Sequence, residues 1–397
     1  MNETIKFTHR KLDSFQDNIF TLENAKITRK FHSTFPTYKP TPLIKLDSLA
    51  KILNLSGLYV KDESFRFGLN AFKSLGGSYA LGKYIAEILN IDINDLSFSR
   101  ITSPEIKQKT GEITFITATD GNHGRGVAWA AQQLGHKAII YMPKGTVQER
   151  LNNIRLLGAD AEITDLNYDD TVRLAAETAR KNNYILVQDT SWPGYEKIPS
   201  YIMQGYLTMA LESVEQLGEI IPTHIFLQAG VGSMAAALAG FYTNYYRDNK
   251  PIITIIESNK ADCIYRTARA NDGQLHKVTG SMNTIMAGLA CGEVCSIAWE
   301  LLKSTAENFV SMPDYVAAKG MRILANPLGN DEKIISGESG ASSFGFVCEL
   351  MQNESLDYIR EEFNINHDSR ILCISTEGDT DKLNYRRIVW EGLFPSF

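Results

Sequence analysis

HIFLQAGVGSMAAALAG, residues 224–240, runs from an apolar stretch of strand length through a glycine turn into a helix rich in small residues. Strand, tight turn and helix in that order form the repeating unit of a parallel sheet. The same rhythm continues outward in both directions. Buried strands are expected at 57–62, 113–119, 137–143, 161–164, 184–189, 224–230, 252–258 and 370–376. Helices are expected at 74–88, 124–135, 147–157, 170–182, 201–216 and 232–247. No repeat, low-complexity tract or long linker interrupts the alternation, so the fold class read from the pattern is α/β with a largely parallel sheet. Ligands of open α/β sheets bind outside the carboxyl ends of the strands. That rule puts ATDGNHG (118–124), QAGVGS (228–233) and STEGD (375–379) at candidate site positions.

Bulk properties narrow the field. The 397 residues, 44% of them hydrophobic, suffice for one large domain or two interlocked ones. A net charge of -6 without a basic block argues against nucleic acid as a partner. The N-terminal MNETIKFTHRKLDSFQDNIF lacks the apolar core of a signal peptide. The most apolar run, 229–242, is shorter than the roughly 20 residues of a membrane span. A cytoplasmic protein without membrane association is the expectation. The cysteines, Cys263, Cys291, Cys295, Cys348 and Cys373, have neither zinc nor redox spacing, and no metal site is read. A bridge such as Cys263 to Cys291 stays open, though unusual in a reducing compartment.

Three constellations carry chemistry. In KDESFRFGLNAFKSLGG (61–77), Lys73 sits between apolar Phe72 and Leu75, with Gly76 and Gly77 following. Partial burial would lower its pKa and make the amine a usable nucleophile. In TATDGNHGRGVAWAA (117–131), the backbone N–H groups from Gly121 to Gly124 open a helix and suit a carboxylate, and Asn122 adds a side-chain amide. Asp120 is out of place at an anion site. It is either a helix cap, or a group that binds an ammonium or acts as a base. His123 reads as structural. In 224–240, Gly230, Gly232 and Ser233 can wrap a phosphate. GVGSMA also fits the dinucleotide pattern GxGxxA, with Glu257 lying 27 residues after Gly230 where a ribose-binding acid could be, so NAD stays a competitor.

Taken together these segments, with YMPKGTVQER, NYDDTVRLA, VQDTSWPGY, TIMAGLACGE, ISGESGA and ISTEGDTD, resemble the tryptophan synthase β-subunit-like family of pyridoxal-phosphate enzymes, fold type II. The resemblance spans roughly residues 30–390. It narrows to the branch that eliminates ammonia from 2,3-diaminopropionate. It implies two open α/β sheet domains with the cofactor in the cleft between them: a large domain of residues 1–85 and 199–397, and a smaller inserted domain, 86–198, carrying the Asn loop. Lys73 and the Asn loop would then lie on different domains.

The resemblance also implies roles. Lys73 carries pyridoxal 5'-phosphate as a Schiff base and Phe72 packs on its ring. Asn122 meets the ring hydroxyl. Gly230, Val231, Gly232, Ser233 and Met234 hold the phosphate, and Ser375, with Thr376 beside it, faces the ring nitrogen. Serine and threonine dehydratases carry a small polar residue where this chain has Asp120. An acid there suits a substrate with a second ammonium, and supplies a base on the cofactor face opposite Lys73. Asp189 is a second acid near the substrate. The implied reaction is α,β-elimination from both D and L isomers to pyruvate and two ammonia. The implied partners are a small amino-acid substrate and a second copy of the chain, as a homodimer. A dehydratase of the same fold, a β-replacement enzyme and an inactive vitamin B6 carrier or amino-acid sensor are the alternatives.

Overall fold

The structure is a computed structural model and describes residues 4–119 and 121–396. Eleven strands occur among these residues. They are β1 (Lys6–His9), β2 (Leu43–Lys45), β3 (Gly57–Asp62), β4 (Thr114–Ala118), β5 (Lys137–Met142), β6 (Asp160–Ile163), β7 (Ile185–Leu186), β8 (His224–Gln228), β9 (Ile252–Ser258), β10 (Asn308–Met312) and β11 (Arg370–Ser375). They form two sheets, ordered β1-β10-β9-β8-β11-β3-β2 and β6-β5-β4-β7.

The chain divides into two compact units. One comprises Met1–Asn18, Thr41–Phe65 and Glu212–Phe397 and holds the seven-stranded sheet. Its inner strands run parallel, and only the edge strands β1 and β2 pair antiparallel. β3, β8 and β10 are buried along their whole length, as expected of strands covered on both faces. The chain proceeds from β8 to β9 and β10 on one side, then returns to place β11 on the other side of β8. The carboxyl ends of β8 and β11 therefore flank the point where strand order reverses, which is where open sheets bind ligands.

The other unit comprises Ile19–Pro40 and Arg66–Leu211 and holds the all-parallel four-stranded sheet. The same reversal recurs here. From β4 the chain moves outward to β5 and β6, then crosses back to put β7 on the other side of β4.

This unit takes in more of the chain than the 86–198 insertion expected from the sequence. The reason is close helix packing. A Cβ on Gly77 would lie 3.0 Å from the Gly126 carbonyl, and one on Gly126 would lie 2.8 Å from the Lys73 carbonyl. Helix Ser74–Leu89 thus meets helix Asn122–Leu134 backbone to backbone. On its other side a Cβ on Gly205, in helix Lys197–Gly205, would lie 2.5 Å from Leu75 O. Helix Leu22–Ser33 joins the same cluster: buried His32 bonds Thr208 Oγ1 at 2.7 Å, Leu75 O at 3.1 Å and Ser78 Oγ at 3.1 Å. Lys73 and the Asn loop consequently share one unit rather than lying on separate domains.

Two further expectations change. The helix expected over 201–216 is two helices, Lys197–Gly205 and Leu207–Leu217. The strand expected over 184–189 forms a ladder only at Ile185–Leu186, and the residues beyond it turn to a different use.

Candidate active site

Lys73 immediately precedes helix Ser74–Leu89. Its side chain is 18% exposed, and its Nζ lies 2.5 Å from Asp189 Oδ2. The glycine packing on both sides of the helix holds its backbone in place. Burial opposes ionisation of Asp189, but the charges of His123 and Lys73 and the Lys73 hydrogen bond outweigh it, and the carboxyl is held down to about 2. Burial also lowers the pKa of His123.

Sequence reading assigned His123 a structural part, and the structure puts it beside the acid. Its Nε2 lies 2.7 Å from Val187 O and its Nδ1 3.7 Å from Asp189 Oδ2. The carbonyl requires the proton on Nε2. Nδ1 has no hydrogen-bond partner among the described residues. The available signal was position: His123 stands in the first turn after the strand-end loop.

The Asn loop is fastened by Thr119, whose Oγ1 accepts from Gly121 N at 2.9 Å and Gly124 N at 3.0 Å. Those two N–H groups are engaged internally, which corrects the expectation that they face a ligand. Asn122 opens the helix. Asp120 lies outside the described residues. Phe72 is buried with its ring 4.9 Å from that of Tyr206, and Lys73 Nζ lies 5.4 Å from the Phe72 ring centre.

In the other unit, β8 leads into a turn ending at Gly232, whose φ is +99°, a conformation L residues rarely adopt. A Cβ on Gly230 would lie 3.1 Å from Cys291 Sγ and 3.1 Å from Gly288 O. Val231, Ser233 and Met234 are buried. Ser233 starts the 14-residue helix Ser233–Tyr246, so the turn presents main-chain N–H groups at a helix N-terminus, and this suits a phosphate. In the unit of Lys73, Ser74 Oγ is buried without a partner among the described residues. Taken unit by unit, the main-chain cradle suits the phosphate of pyridoxal phosphate, and the Lys73 amine suits its aldehyde.

Glu257 does not fit the NAD alternative. It is fully buried and accepts from Ile264 N at 2.9 Å and Tyr265 N at 2.6 Å. Both oxygens thus cap helix Cys263–Ala270, and none is presented to a ribose. Burial pushes its carboxyl well up, against the pull of those N–H groups.

Two late segments, 335–341 and 374–381, support the glycine turn. Gly337 N bonds Glu377 O at 2.9 Å, and Ser339 N bonds Glu377 Oε1 at 3.1 Å. Ser339 Oγ in turn accepts from Gly288 N at 3.0 Å, behind Gly230. Ser375 donates to Ser336 Oγ at 2.8 Å, and Thr376 Oγ1 accepts from Gln228 Nε2 at 3.0 Å. All five cysteines carry free thiols. Among the described residues no cluster of three or more His, Cys, Asp or Glu side chains is suited to a metal, and no helix is long and apolar enough to cross a membrane.

A family model described as pyridoxal-phosphate dependent enzyme matches residues 34–359. The class is therefore that of pyridoxal-phosphate-dependent enzymes, and the fold is their type II fold. Diaminopropionate ammonia-lyase of Salmonella typhimurium is 52% identical over 401 residues, covering 99% of each chain. The crystal structure of holo diaminopropionate ammonia lyase from Escherichia coli superposes with a TM-score of 0.93 at 47% identity, covering 99% of this chain and 98% of that one. The same E. coli enzyme in complex with an aminoacrylate-PLP azomethine reaction intermediate superposes with a TM-score of 0.91, at 47% identity and the same coverage. The chain belongs to the diaminopropionate ammonia-lyase family. It is a lyase whose cofactor is pyridoxal 5'-phosphate.

Proposed function

We propose that this enzyme eliminates ammonia from 2,3-diaminopropionate, accepts both the D and the L isomer, and releases pyruvate and two ammonia. The observation that carries the reading is the 2.5 Å contact of Lys73 Nζ with Asp189 in a chain so similar to diaminopropionate ammonia-lyases. When bound, the cofactor supplies an electron sink for the charge that develops at Cα. Lys73 holds the cofactor covalently and then acts as the base for the Cα proton of the L isomer. Asp120 is the base for the D isomer, on the opposite face. Asp189, an ionised acid at neutral pH, orients the Lys73 amine and favours a substrate with a second ammonium. Asn122 and Phe72 orient the ring. Gly230, Val231, Gly232, Ser233 and Met234 hold the phosphate. Ser375, with Thr376, serves the ring nitrogen as a neutral hydroxyl. The leaving β-amine takes a proton as it departs, and hydrolysis of the released enamine yields the second ammonia.

The domain assignment carries over in amended form, with Lys73 on the smaller unit. A homodimer in the cytoplasm completes the proposal. Light scattering should give twice the chain mass of 44.3 kDa.

The test incubates purified enzyme with L- and D-2,3-diaminopropionate, L- and D-serine and L-threonine, and measures keto acid and ammonia. Two ammonia per pyruvate from both diaminopropionate isomers, well above the serine rate, is the expected result. Turnover of serine or threonine without diaminopropionate would overturn the substrate assignment.

A further inference from the structure

We infer that Gln188 is a positioning residue for the reaction, holding Asp189 and the Asn-loop strand at a fixed separation through its side-chain amide. The inference rests on the reading of Asp189 as a site residue.

The argument begins with the ladder between β4 and β7. Those strands pair at Phe115 with Ile185 and at Ile116 with Leu186, and Val187 N bonds Ile116 O at 2.8 Å. There the ladder ends. The next groups in line, Ala118 N on β4 and Val187 O on the other strand, do not meet each other. Ala118 N donates instead to Gln188 Oε1 at 3.0 Å, and Val187 O faces His123 Nε2 at 2.7 Å. The two strands part, and side chains take the hydrogen bonds that the ladder relinquishes. Asp189 stands where the strands have separated.

Gln188 is fully buried and its amide is saturated. A carboxamide offers two donors and two acceptor lone pairs. Oε1 accepts from Thr117 Oγ1 at 2.9 Å and Ala118 N at 3.0 Å. Nε2 donates to Tyr168 OH at 3.2 Å and lies 3.5 Å from Asp189 Oδ1. The orientation is dictated from both ends. Ala118 N–H can only donate, so it requires the amide oxygen; ionised Asp189 can only accept, so it requires the amide nitrogen. The backbone of Gln188 is fixed as well, with its N donating to Tyr195 OH at 2.8 Å and Tyr195 OH donating to Leu186 O at 2.8 Å. Lys73 holds Asp189 through Oδ2 and Gln188 approaches through Oδ1. When the Lys73 nitrogen is committed to the cofactor, the amide of Gln188 continues to orient that carboxylate. Ionised glutamate has no donor for Asp189, and methionine has neither function.

The test uses the holoenzyme and three variants, two at Gln188 and one at Asp189. Gln188→Glu retains an acceptor toward Thr117 and Ala118 but replaces the donor with a carboxyl beside Asp189. Gln188→Met retains the length and removes all four bonds. Two readouts are followed: the pH titration of the bound cofactor's visible absorbance, and the acid limb of kcat/KM for diaminopropionate. In Gln188→Glu both midpoints should rise by about one pH unit, a tenfold change in a proton equilibrium, with the thermal midpoint within a few degrees of wild type. Asp189→Asn should abolish the same acid limb. Gln188→Met should lower kcat/KM at least tenfold in protein that keeps its cofactor; if it does not fold, Gln188→Glu decides alone. Coincidence of both Gln188→Glu profiles with wild type would overturn the inference. Should wild type fail to turn over diaminopropionate, the functional proposal falls, and the absorbance titration still judges Gln188.

Discussion

Gly126→Ala should separate stability from catalysis in this enzyme. The added Cβ would sit 2.8 Å from the carbonyl carbon and oxygen of Lys73 and 2.9 Å from Ser74 N. Comfortable contact needs about 3.5 Å or more, so one backbone must retreat by about 0.7 Å. No flexible side chain can yield instead, since both partners are main chain. Such overpacking costs about 1–3 kcal/mol. Alanine in place of glycine inside a helix returns about 1 kcal/mol. The net loss is thus about 0–2 kcal/mol, a fall of a few degrees in thermal midpoint. The retreat acts directly on the residue proposed to carry the cofactor, and misplacing a reacting group by about 1 Å can lower a rate about a hundredfold. The expectation is a folded protein with its visible cofactor band and a kcat/KM reduced about 10- to 100-fold. Steady-state kinetics beside thermal unfolding would measure both. Activity within threefold of wild type in folded protein would refute the argument that this helix contact places Lys73.

Lys73→Ala should lose both the visible band and turnover; retention of either would remove the covalent role. In cofactor-free protein, where Lys73 is an amine, Asp189 should make stability depend on pH. Its carboxyl is lowered from 3.8 to about 2, so its contribution, about 2 kcal/mol, is complete above about pH 4 and is lost as pH falls toward 2. Urea midpoints between about pH 5 and pH 2 should show that loss in wild type, and Asp189→Asn should lack that component. Glu257→Ala should destabilise by about 2 kcal/mol, because the buried N–H groups of Ile264 and Tyr265 lose their acceptor. An unchanged urea midpoint would contradict its role as a helix cap.

The βα rhythm was legible in the sequence because the inner strands are covered on both faces and read as short apolar runs. IITIIES is an example, and β9 occupies that stretch without a shift. β1 and β2 were missed because edge strands need no such run: KFTH and LIK carry too little pattern. β10 was missed although it is buried throughout, since NFVSM mixes polar and apolar residues. At the site, glycine clusters and the lone lysine could be found from residue type and order. The partnership of Lys73 with Asp189 could not be found that way, because the two are separated by 116 residues and meet through the crossover that returns β7 to β4. The difference between the expected domain bounds and the compact units has a similar origin. Gly77 follows Lys73 closely in sequence and Gly126 lies 49 residues further on, and nothing in either segment says that they touch. Glu257 misled in the opposite sense: its spacing suggested a ribose ligand, while its oxygens cap the next helix.

The parted strands have a counterpart in the larger sheet. At the end of β8, Gln228 sends Nε2 across to Ile374 O at 2.8 Å and Thr376 Oγ1 at 3.0 Å, as Gln188 reaches from beyond β7 to the end of β4. Each glutamine works as a gauge block, spacing two diverging strands by the reach of one side chain. Asparagine would be one methylene too short for the gap, and glutamate would lack the donors. The opening in each unit is thus bridged by side chains, Gln188 together with His123 in one and Gln228 in the other. An engineer wishing to alter either opening would begin with these side chains, which lie beyond the paired residues of the ladders.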